Sequence, residues 1–452
     1  MTTGPEEQLT VAEARAYLLD RARERGVTLE VYGERRASTN VRAFGGEVGE
    51  FKVQTRQGVA LRALVGGAWG HSFTENLSRP ALDRALDSAV ENAELVAPER
   101  GAGLHDWPPP PALDLHGEGL SGVTAEQKVR VALDLERVTR EADPRVVSVP
   151  YAVYQDGDAE GLVANTEGLS RETRQLYALQ YVSPLVSEGG QNKMKGDWQF
   201  TREFTELDPT RTALSAVERS LALLGARPAP SGTFPAVVSG ECLAELLAIF
   251  AGMFSGQMVE EGKSPLAGRL GEQVASGLVT LTDDATLLRG LNSRPFDAEG
   301  CPSAPLTLIG EGRLAAFLHN AGTAARAGTR STGHATRQGL QGTVGVAPSN
   351  LRLHPGTTSP ADLARGVTGV RLTGVEGGHA GANPVTGDFS LQAEGFWVEG
   401  GETAYPLEVF TVAGNLLDLL ADIEAVGAEL WFTLDGVEAP DVRVRALAVG
   451  GG

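Results

Sequence analysis

The sequence predicts an α+β fold, with an N-terminal half of two helix–antiparallel-sheet–helix units and a C-terminal half that is glycine-rich, mainly antiparallel β and poor in helices. Glycine accounts for 57 of the 452 residues, and aromatic residues make up only 6%. The usual share of glycine is roughly 7%. Apolar and polar residues alternate in short segments that end at glycines, which is typical of strands joined by tight turns. These observations favour a sheet-rich protein over a helical bundle.

We place the first unit at residues 1–100. Thr10 and Glu13 form a capping box that starts a helix, and Gly26 ends it. A second helix is predicted at residues 78–96, after an antiparallel meander. The four predicted strands of this meander are residues 28–32, 38–44, 50–57 and 59–65, separated by Gly33, Gly45–Gly46 and Gly58.

We place the second unit at residues 112–226. Pro98 and the four prolines at 108–111 mark the linker before it, since consecutive prolines cannot join a helix or a central strand. Thr124 and Gln127 form a second capping box, and Asp208 followed by Pro209 starts the last helix of the unit. The strands predicted between these helices are residues 146–154, 161–165 and 170–186.

We place the third unit at residues 232–452, after a second linker at 228–233. A short strand at 235–238 leads into a helix at 240–253, and glycine-rich segments with short strands follow. Only two later segments are predicted to be helical. These are residues 361–364 and 413–425.

Composition and charge exclude several classes of protein. With 39 Lys and Arg against 58 Asp and Glu, the net charge of −19 argues against binding to nucleic acid backbones. The longest apolar run, 243–254, is interrupted by Glu245 and Gly252 and is too short to span a membrane. The first ten residues are polar and acidic, unlike a secretory signal. Cys242 and Cys301 are too few for a disulfide framework, so we expect a cytoplasmic protein.

The common catalytic motifs are missing from the sequence. No two of the seven histidines lie four or five residues apart, as the two-histidine zinc helix requires. No phosphate-binding loop or nucleophile elbow occurs, and the glycines at 66–70 are interpreted as a turn. Cys242 stands among apolar residues at a predicted helix start and is interpreted as a buried, inert thiol. The stretch 377–388 is polar and glycine-rich, and either a ligand cradle or a structural turn remains open.

Several separated segments, in this order, resemble the TldD/PmbA family. They are residues 46–70, Gly268-Arg-Leu-Gly-Glu-Gln-Val-Ala-Ser276, Ser331-Thr-Gly-His334, Asn383-Pro-Val-Thr-Gly-Asp-Phe-Ser390 and Ala413-Gly-Asn-Leu-Leu-Asp418. The resemblance covers most of the chain. It implies a peptide-processing zinc metalloprotease of two sister subunits, TldD and TldE (also called PmbA), in which TldD holds the metal. The family is also known as peptidase U62 and, earlier, as modulator of DNA gyrase.

The family's metal motif, His-Glu-x-x-x-His, decides which sister this chain resembles. Counting back from the segment at 271–276 places Leu247 and Gly252 at the two histidine positions and Ala248 at the general base. Phe432 falls at the position of the third ligand, a cysteine. None of these side chains binds zinc or moves a proton. The resemblance therefore implies a TldE/PmbA-type subunit with no metal or cofactor of its own, and zinc in a TldD-type partner.

Two groups of residues are expected at a peptide groove or a subunit seam. A glycine-rich sheet edge is able to take up an extended peptide as an additional strand. A structural turn that only fixes the fold remains the alternative for both groups. The first group is Asn383, Thr386, Gly387 and Asp388, and the second is His319, Asn320, Ser331 and His334.

The resemblance implies either a heterodimer with a TldD-type subunit or a homodimer, and no nucleic acid or membrane partner. Two other functions remain open at this stage. The chain is a metallopeptidase in its own right if residues such as His334 and His379 are unrecognised ligands. Alternatively, it is a non-enzymatic factor that binds a folded partner, with which its negative charge is compatible if that partner is basic.

Overall fold

A computed structural model describes residues 7–451. Residues 1–6, which belong to the predicted first unit and to the segment interpreted as non-secretory, lie outside the described residues, as does Gly452 of the third unit. The predicted α+β class is confirmed, with helices flanking an N-terminal sheet and a mainly β C-terminal half. No helix among the described residues has the length and apolarity that crossing a membrane requires.

The first two predicted units share one sheet. Strands β1 and β4 pair antiparallel from Glu30–Asn165 to Arg42–Val153, which gives the strand order β3-β2-β1-β4-β5-β6, with β7 paired to β5. Three-residue 3-10 turns lie at Glu118–Leu120 and Phe204–Glu206. The elements are α1 (Val11–Glu24), β1 (Thr28–Phe44), β2 (Glu47–Val65), β3 (Ala68–Thr74), α2 (Arg79–Glu94), α3 (Ala125–Ala142), β4 (Val146–Asn165), β5 (Ser170–Glu188), β6 (Gln191–Met194), β7 (Asp197–Thr201) and α4 (Pro209–Leu221).

The predicted helix starts are confirmed because capping is a local interaction. The Thr10 hydroxyl accepts the Glu13 amide at 3.2 Å, and the Glu13 carboxylate accepts the Thr10 amide at 2.8 Å. Thr124 begins α3 with the same reciprocal arrangement. Asp208 caps α4, where proline occupies the first turn.

The predicted division of the N-terminal strands is wrong. Strand β1 continues through Gly33 and strand β2 continues through Gly58, although both glycines are predicted to separate strands. Gly33 lies opposite Val59, and Glu34 lies opposite Gly58. A Cβ on Gly33 would lie 2.5 Å from Val11 Cγ1, and one on Gly58 would lie 2.7 Å from the Thr74 carbonyl oxygen. These glycines permit close packing rather than a turn.

The same correction applies to β4, where the predicted strands 146–154 and 161–165 form one strand. Gly157 lies inside it, and a Cβ there would lie 2.4 Å from the Tyr177 ring. By contrast, the glycine pairs at 45–46 and 66–67 do form turns, with positive φ values. Gly66 and Gly67 therefore form the predicted turn between β2 and β3, whereas residues 68–70 of that segment belong to β3.

The four helices cover one face of the sheet in two pairs. Helices α1 and α2 pack on Leu29, Val31 and Leu61, and helices α3 and α4 pack on Val41 and Tyr154 further along the strands. The opposite face meets the third unit. There, Val163 and Leu169 pack against Phe296.

The third unit contains a closed ring of five strands. β8 pairs with β15, β15 with β17, β17 with β19, and β21 with both β19 and β8. The elements are β8 (Gly232–Val238), α5 (Gly240–Phe250), α6 (Gly256–Glu260), β9 (Leu281–Asp283), β10 (Leu306–Gly310), β11 (Arg313–Leu314), α7 (Ala321–Ala327), β12 (Ala335–Thr336), β13 (Gly345–Val346), β14 (Leu351–Leu353), α8 (Pro360–Ala364), β15 (Gly369–Glu376), α9 (Gly378–Gly381), β16 (Ala382–Asn383), β17 (Asp388–Glu399), β18 (Glu402–Pro406), β19 (Phe410–Asn415), α10 (Leu416–Ala421), β20 (Ile423–Phe432) and β21 (Val437–Gly450).

The predicted helix at 413–425 is mostly wrong. Only α10 is helical, and it is six residues long. Asn415 caps it by accepting the Leu417 amide at 3.0 Å. Ala413 belongs to β19 and pairs with Ser390 of β17, and Ile423 belongs to β20 and pairs with Val444 of β21. Strand pairing on both sides overrides the helical spacing of the leucines. The short helices α6, α7 and α9 were not predicted.

Candidate functional site

Helix α5 and the 3-10 turn that follows it, Ala251–Phe254, carry the positions at which the resemblance places the metal motif. Because of the helical period, Leu243, Leu246, Leu247 and Phe250 are buried in the main core cluster. The half-buried residues are Glu241, Glu245, Ala248 and Ile249 of the helix and Gly252 of the turn after it. We call these five residues the outward face of α5. Leu247 therefore points into the core, and only Ala248 and Gly252 of the three mapped positions face outward. A Cβ on Gly252 would meet no atom within 4 Å.

Phe432, the mapped third position, lies in a different place. Its ring centroid is 5.6 Å from that of Trp198 and 6.4 Å from that of Phe200, both on β7. Its neighbour Trp431 covers the first residue of α5, since a Cβ on Gly240 would lie 2.5 Å from Trp431 Cδ1. Leu247 lies about 10 Å further along the helix axis. The structure thus does not gather the mapped positions around one point.

Zinc does not fit the outward face of α5. Protein zinc sites use imidazole, thiolate or carboxylate ligands in a tetrahedral arrangement. Leu247, Ala248, Gly252 and Phe432 offer no such donor, and the face carries only the carboxylates of Glu241 and Glu245. Among residues 7–451, no group of three or more His, Cys, Asp or Glu side chains is arranged to hold a metal ion.

Charged side chains from both halves of the chain meet beside α5. Lys195 Nζ lies 2.9 Å from Glu394 Oε1, which joins the end of β6 to β17. Arg219 of α4 pairs with Glu241 of α5 and lies 3.5 Å from Asp197. We call these five residues, together with Glu245, the α5 charge cluster. It connects the second unit to the third.

Glu245 is the member of the α5 charge cluster that forms no ion pair with any residue the structure describes. Its carboxylate accepts the Val375 amide at 3.2 Å. Burial raises the pKa of Glu245 to about 7, and the negative charges of Glu241 and Glu394 act in the same direction. The neighbouring Cys242 is buried, and burial raises the pKa of its thiol well above its usual range. The interpretation of Cys242 as a buried, inert thiol agrees with this environment.

We expect the Glu245→Gln variant to be more stable than wild type at pH 8 by about 1–3 kcal/mol, and equally stable near pH 4. The usual pKa of the carboxyl is 4.5, and in the folded state it is about 7. Below pH 4.5 both states are protonated. As pH rises from 4.5 to 7 the unfolded state ionises first, so wild type loses stability, whereas an amide does not titrate.

Urea unfolding of both proteins at pH 4, 6 and 8 measures this difference. Glu91→Gln, at an exposed site on α2, is the matched control and should show no comparable dependence. A Glu245→Gln variant that is no more stable than wild type at pH 8 would contradict the raised pKa of the half-buried Glu245 carboxyl.

The first predicted group forms the turn between β16 and β17. The Asn383 carbonyl accepts the Gly387 amide at 2.8 Å, and Asn415 Nδ2 donates to the Thr386 carbonyl and to Asp388 Oδ1, both at 2.9 Å. The hydrogen bond from Asn415 lowers the pKa of Asp388. Asn383, Thr386 and Asp388 are exposed, whereas Gly387 is buried beside Asn415 with a φ of +85°.

The segments on either side of this turn contact α5. Phe389, the residue after it, has its ring centroid 6.4 Å from that of Phe250. Gly378 of α9 packs on Ile249, with only 2.7 Å between its would-be Cβ and Ile249 Cδ1. The first predicted group is therefore exposed and lies between two segments that contact α5.

The second predicted group is brought together in one hydrogen-bond network around Thr332. The Thr332 hydroxyl accepts the His319 amide at 2.7 Å and lies 2.8 Å from His334 Nδ1, and the Ser331 hydroxyl donates to the His319 carbonyl at 3.3 Å. Asn320 caps α7 by accepting the Thr323 amide at 2.8 Å. His319, Asn320 and His334 are buried. The four residues therefore lie together in the fold, and Asn320 also lines a cavity with Arg62 and Trp69 of the N-terminal sheet.

Both ring nitrogens of His334 are engaged, because His334 Nε2 also lies 2.8 Å from Asp283 Oδ1. His334 therefore has no free nitrogen for a metal. His379, the other suggested ligand, stands on α9. A Cβ on Gly256 would lie 2.3 Å from His319 Cε1, so this network abuts the segment that follows α5.

The α5 charge cluster was not predicted from the sequence. One signal was present, since Glu245 interrupts an otherwise apolar run. A carboxylate inside such a run indicates either a buried partner or a function. Lys195 and Glu394 meet only through the fold, and no local pattern announces their contact.

Three family models match the chain in succession. They are described as PmbA/TldA metallopeptidase domain 1 over residues 29–93, the central domain over 118–224 and the C-terminal domain over 231–451. The chain belongs to the PmbA/TldD family. The suspected resemblance is thereby confirmed.

Individual PmbA/TldD relatives cover nearly the whole chain. The metalloprotease PmbA homologue of Haemophilus influenzae is 26% identical over 433 residues, covering 94% of this chain and 92% of its own. The structure of a proposed modulator of DNA gyrase from Thermotoga maritima has a TM-score of 0.90 at 29% identity, covering 98% and 100% of the two chains. TldE from Thermococcus kodakarensis has a TM-score of 0.88 at 22% identity, covering 97% and 100%, and shows a shared fold.

Proposed function

We propose that this chain is the TldE/PmbA-like subunit of a TldD/TldE-type zinc metalloprotease that processes or degrades peptides. The observation that carries the proposal is the outward face of α5, where Ala248 and Gly252 offer no metal donor in a chain of a metallopeptidase family. The zinc and the hydrolytic step then belong to a TldD-type partner. This chain contributes binding surface.

The proposed role of this chain is to hold the peptide and the partner beside α5. The turn with Asn383, Thr386 and Asp388 supports this role because it is exposed and the segments on either side of it, α9 and β17, contact α5. An extended peptide gains affinity by adding as a strand to a sheet edge, and side-chain pockets supply selectivity. We further propose that the complex acts in the cytoplasm, in keeping with two buried, free cysteines and a charge of −19.

We expect the double variant Asn383→Ala/Asp388→Ala to weaken association with a TldD-type chain, or to raise the KM for peptide, by about tenfold. Truncating polar residues at the centre of an interface costs on the order of 1–2 kcal/mol. Titration calorimetry with the partner and steady-state cleavage kinetics of the complex give the two readouts.

The double variant Asn192→Ala/Glu402→Ala removes an exposed amide and an exposed carboxylate elsewhere and serves as the control. Thermal unfolding of both variants checks that the turn still folds. If the folded Asn383→Ala/Asp388→Ala variant binds the partner and supports cleavage as wild type does, the turn only fixes the fold.

A further inference from the structure

Within residues 7–451, no strand lies beside the outer edge of β2 over its first half. Residues 47–58 pair with β1 on one side, while β3 begins to pair on the other side only at Val59. Residues 47–56 are all exposed. Their outward N–H and C=O groups form an open edge, and an open edge of this length is a template for another strand.

Apolar side chains increase the tendency of this edge to pair. Phe51 is 45% exposed and Val53 is 63% exposed. Proline, which blocks many sheet edges, does not occur between 47 and 58. The register shift opposite Arg42 and Ala43 places a bulge at Gly49, so the regular part of the edge begins at Glu50.

The charges on the edge select one register for pairing with a second copy. Around a twofold axis, each residue of an antiparallel strand faces the one equally far beyond the centre, and the two lie on the same face of the sheet. A centre at Glu50, Lys52 or Arg56 places that charged residue opposite its own copy. A centre at Gln54 places Lys52 opposite Arg56. Directly opposed like charges are destabilising.

Within residues 50–56, three centres remain without a like-charge pair. A centre at Thr55 places Arg56 opposite Gln54 and Lys52 opposite Gly58, so it forms no ion pair. A centre at Phe51 places the bulge residue Gly49 inside the ladder. A centre at Val53 places Val53 against Val53 and Glu50 against Arg56 twice, and it keeps the ladder within the regular segment 50–56, before β3 begins. Of the three, only the register centred on Val53 both forms ion pairs and avoids the bulge.

Arg56 supplies an independent reason for a partner carboxylate. Within the sheet it lies directly opposite Arg36 of β1, a like-charge pair. Arg36 lies 3.3 Å from Glu34, whereas neither Glu50 nor Arg56 has an ion pair among the described residues. A Glu50 from a second copy would compensate the unpaired guanidinium.

We propose that residues 50–56 of β2 pair antiparallel with the same segment of a second copy of this chain, in the register centred on Val53. The pairing joins two N-terminal sheets edge to edge. This deepens the proposed subunit role by naming a surface for self-association. It rests on that proposal only for its biological context, since its test measures association of the purified chain alone.

Cysteine crosslinking of the full chain tests the register directly. Cys242 and Cys301 are buried, so an introduced exposed thiol is the main one to react. Val53→Cys, oxidised by dissolved oxygen, should yield a reducible dimer, because opposed Cα atoms lie about 4.5–5.5 Å apart, within disulfide reach. Phe51→Cys places its two Cα atoms about 13 Å apart and should not crosslink. Leu95→Cys, at an exposed helix end, is the background control.

A charge reversal gives a second readout that needs no oxidation. Glu50→Arg or Arg56→Glu alone should raise the dimer dissociation constant at least threefold in sedimentation velocity, and the double exchange should restore it. The proposal is overturned if Val53→Cys crosslinks no more than Leu95→Cys, if Phe51→Cys crosslinks instead, or if the edge pairs only with a TldD-type chain. None of these outcomes bears on peptide cleavage, which is measured separately.

Discussion

We expect Arg62→Met to lower the free energy of unfolding by about 3–5 kcal/mol, because the variant leaves two buried carboxylates without their cation. Arg62 projects from β2 on the face of the N-terminal sheet that meets the third unit. Its Nε and Nη2 donate to the two carboxylate oxygens of Glu30, each at 2.9 Å, and its Nη1 donates to Glu299 Oε1 at 3.0 Å. All three residues are buried.

This arrangement connects the two halves of the molecule. Glu30 and Arg62 belong to neighbouring strands, whereas Glu299 belongs to the third unit and also accepts the Ala321 amide at 2.8 Å. The Arg62 guanidinium lies 4.6 Å from the centre of the Trp69 ring. The two carboxylates raise the pKa of Arg62 despite its burial, so it stays charged. Arg337 lies 3.7 Å from Glu30, so in Arg62→Met it compensates only part of the negative charge of the two carboxylates.

Chemical unfolding of Arg62→Met and Arg137→Met tests this prediction. Arg137 makes exposed pairs on α3, and its replacement should cost at most about 1 kcal/mol. Adding Glu30→Gln and Glu299→Gln to Arg62→Met should recover part of the stability, since no buried charge then lacks a partner. Equal effects of the two arginine variants on the free energy of unfolding would show that Arg62, Glu30 and Glu299 do not stabilise the contact between the N-terminal sheet and the third unit.

The sequence predicted what local chemistry determines. Thr10 and Thr124 marked helix starts because a capping box involves residues three apart. Gly33 and Gly157 misled the prediction of strand ends, because a glycine needed for close packing is indistinguishable from a turn glycine in the sequence. The pairing of β1 with β4, which merges the first two units into one sheet, depends on contacts between distant segments.

The same distinction explains the candidate site. The polar turn at 383–388 was recognisable as a dense group of turn residues, and it is exposed between two segments that contact α5. The second predicted group does meet in space, but the sequence did not indicate that His319 and His334 are buried among hydrogen-bond partners. The pairs Lys195–Glu394 and Arg62–Glu299 join residues from different units, so only the fold brings them together.

The largest functional effect is expected from the presence or absence of a TldD-type partner. Hydrolysis of a peptide bond by attack of water at neutral pH needs a metal that activates the water or a general base. The outward face of α5 offers Ala248 and Gly252 where such groups would stand, and Glu245 is the nearest titratable side chain on that face. We therefore expect cleavage by the complex to exceed cleavage by this chain alone by at least about a thousandfold, a loss typical of removing essential catalytic groups.

Zinc content and peptide cleavage, measured on the purified chain alone, on a TldD-type chain alone and on their complex, test the central claim most directly. We expect zinc at about one ion per TldD-type chain, only trace zinc with this chain alone, and efficient cleavage by the complex. Stoichiometric zinc bound to this chain alone, together with cleavage that a chelator abolishes and zinc restores, would contradict the assignment of this chain as the subunit without the metal.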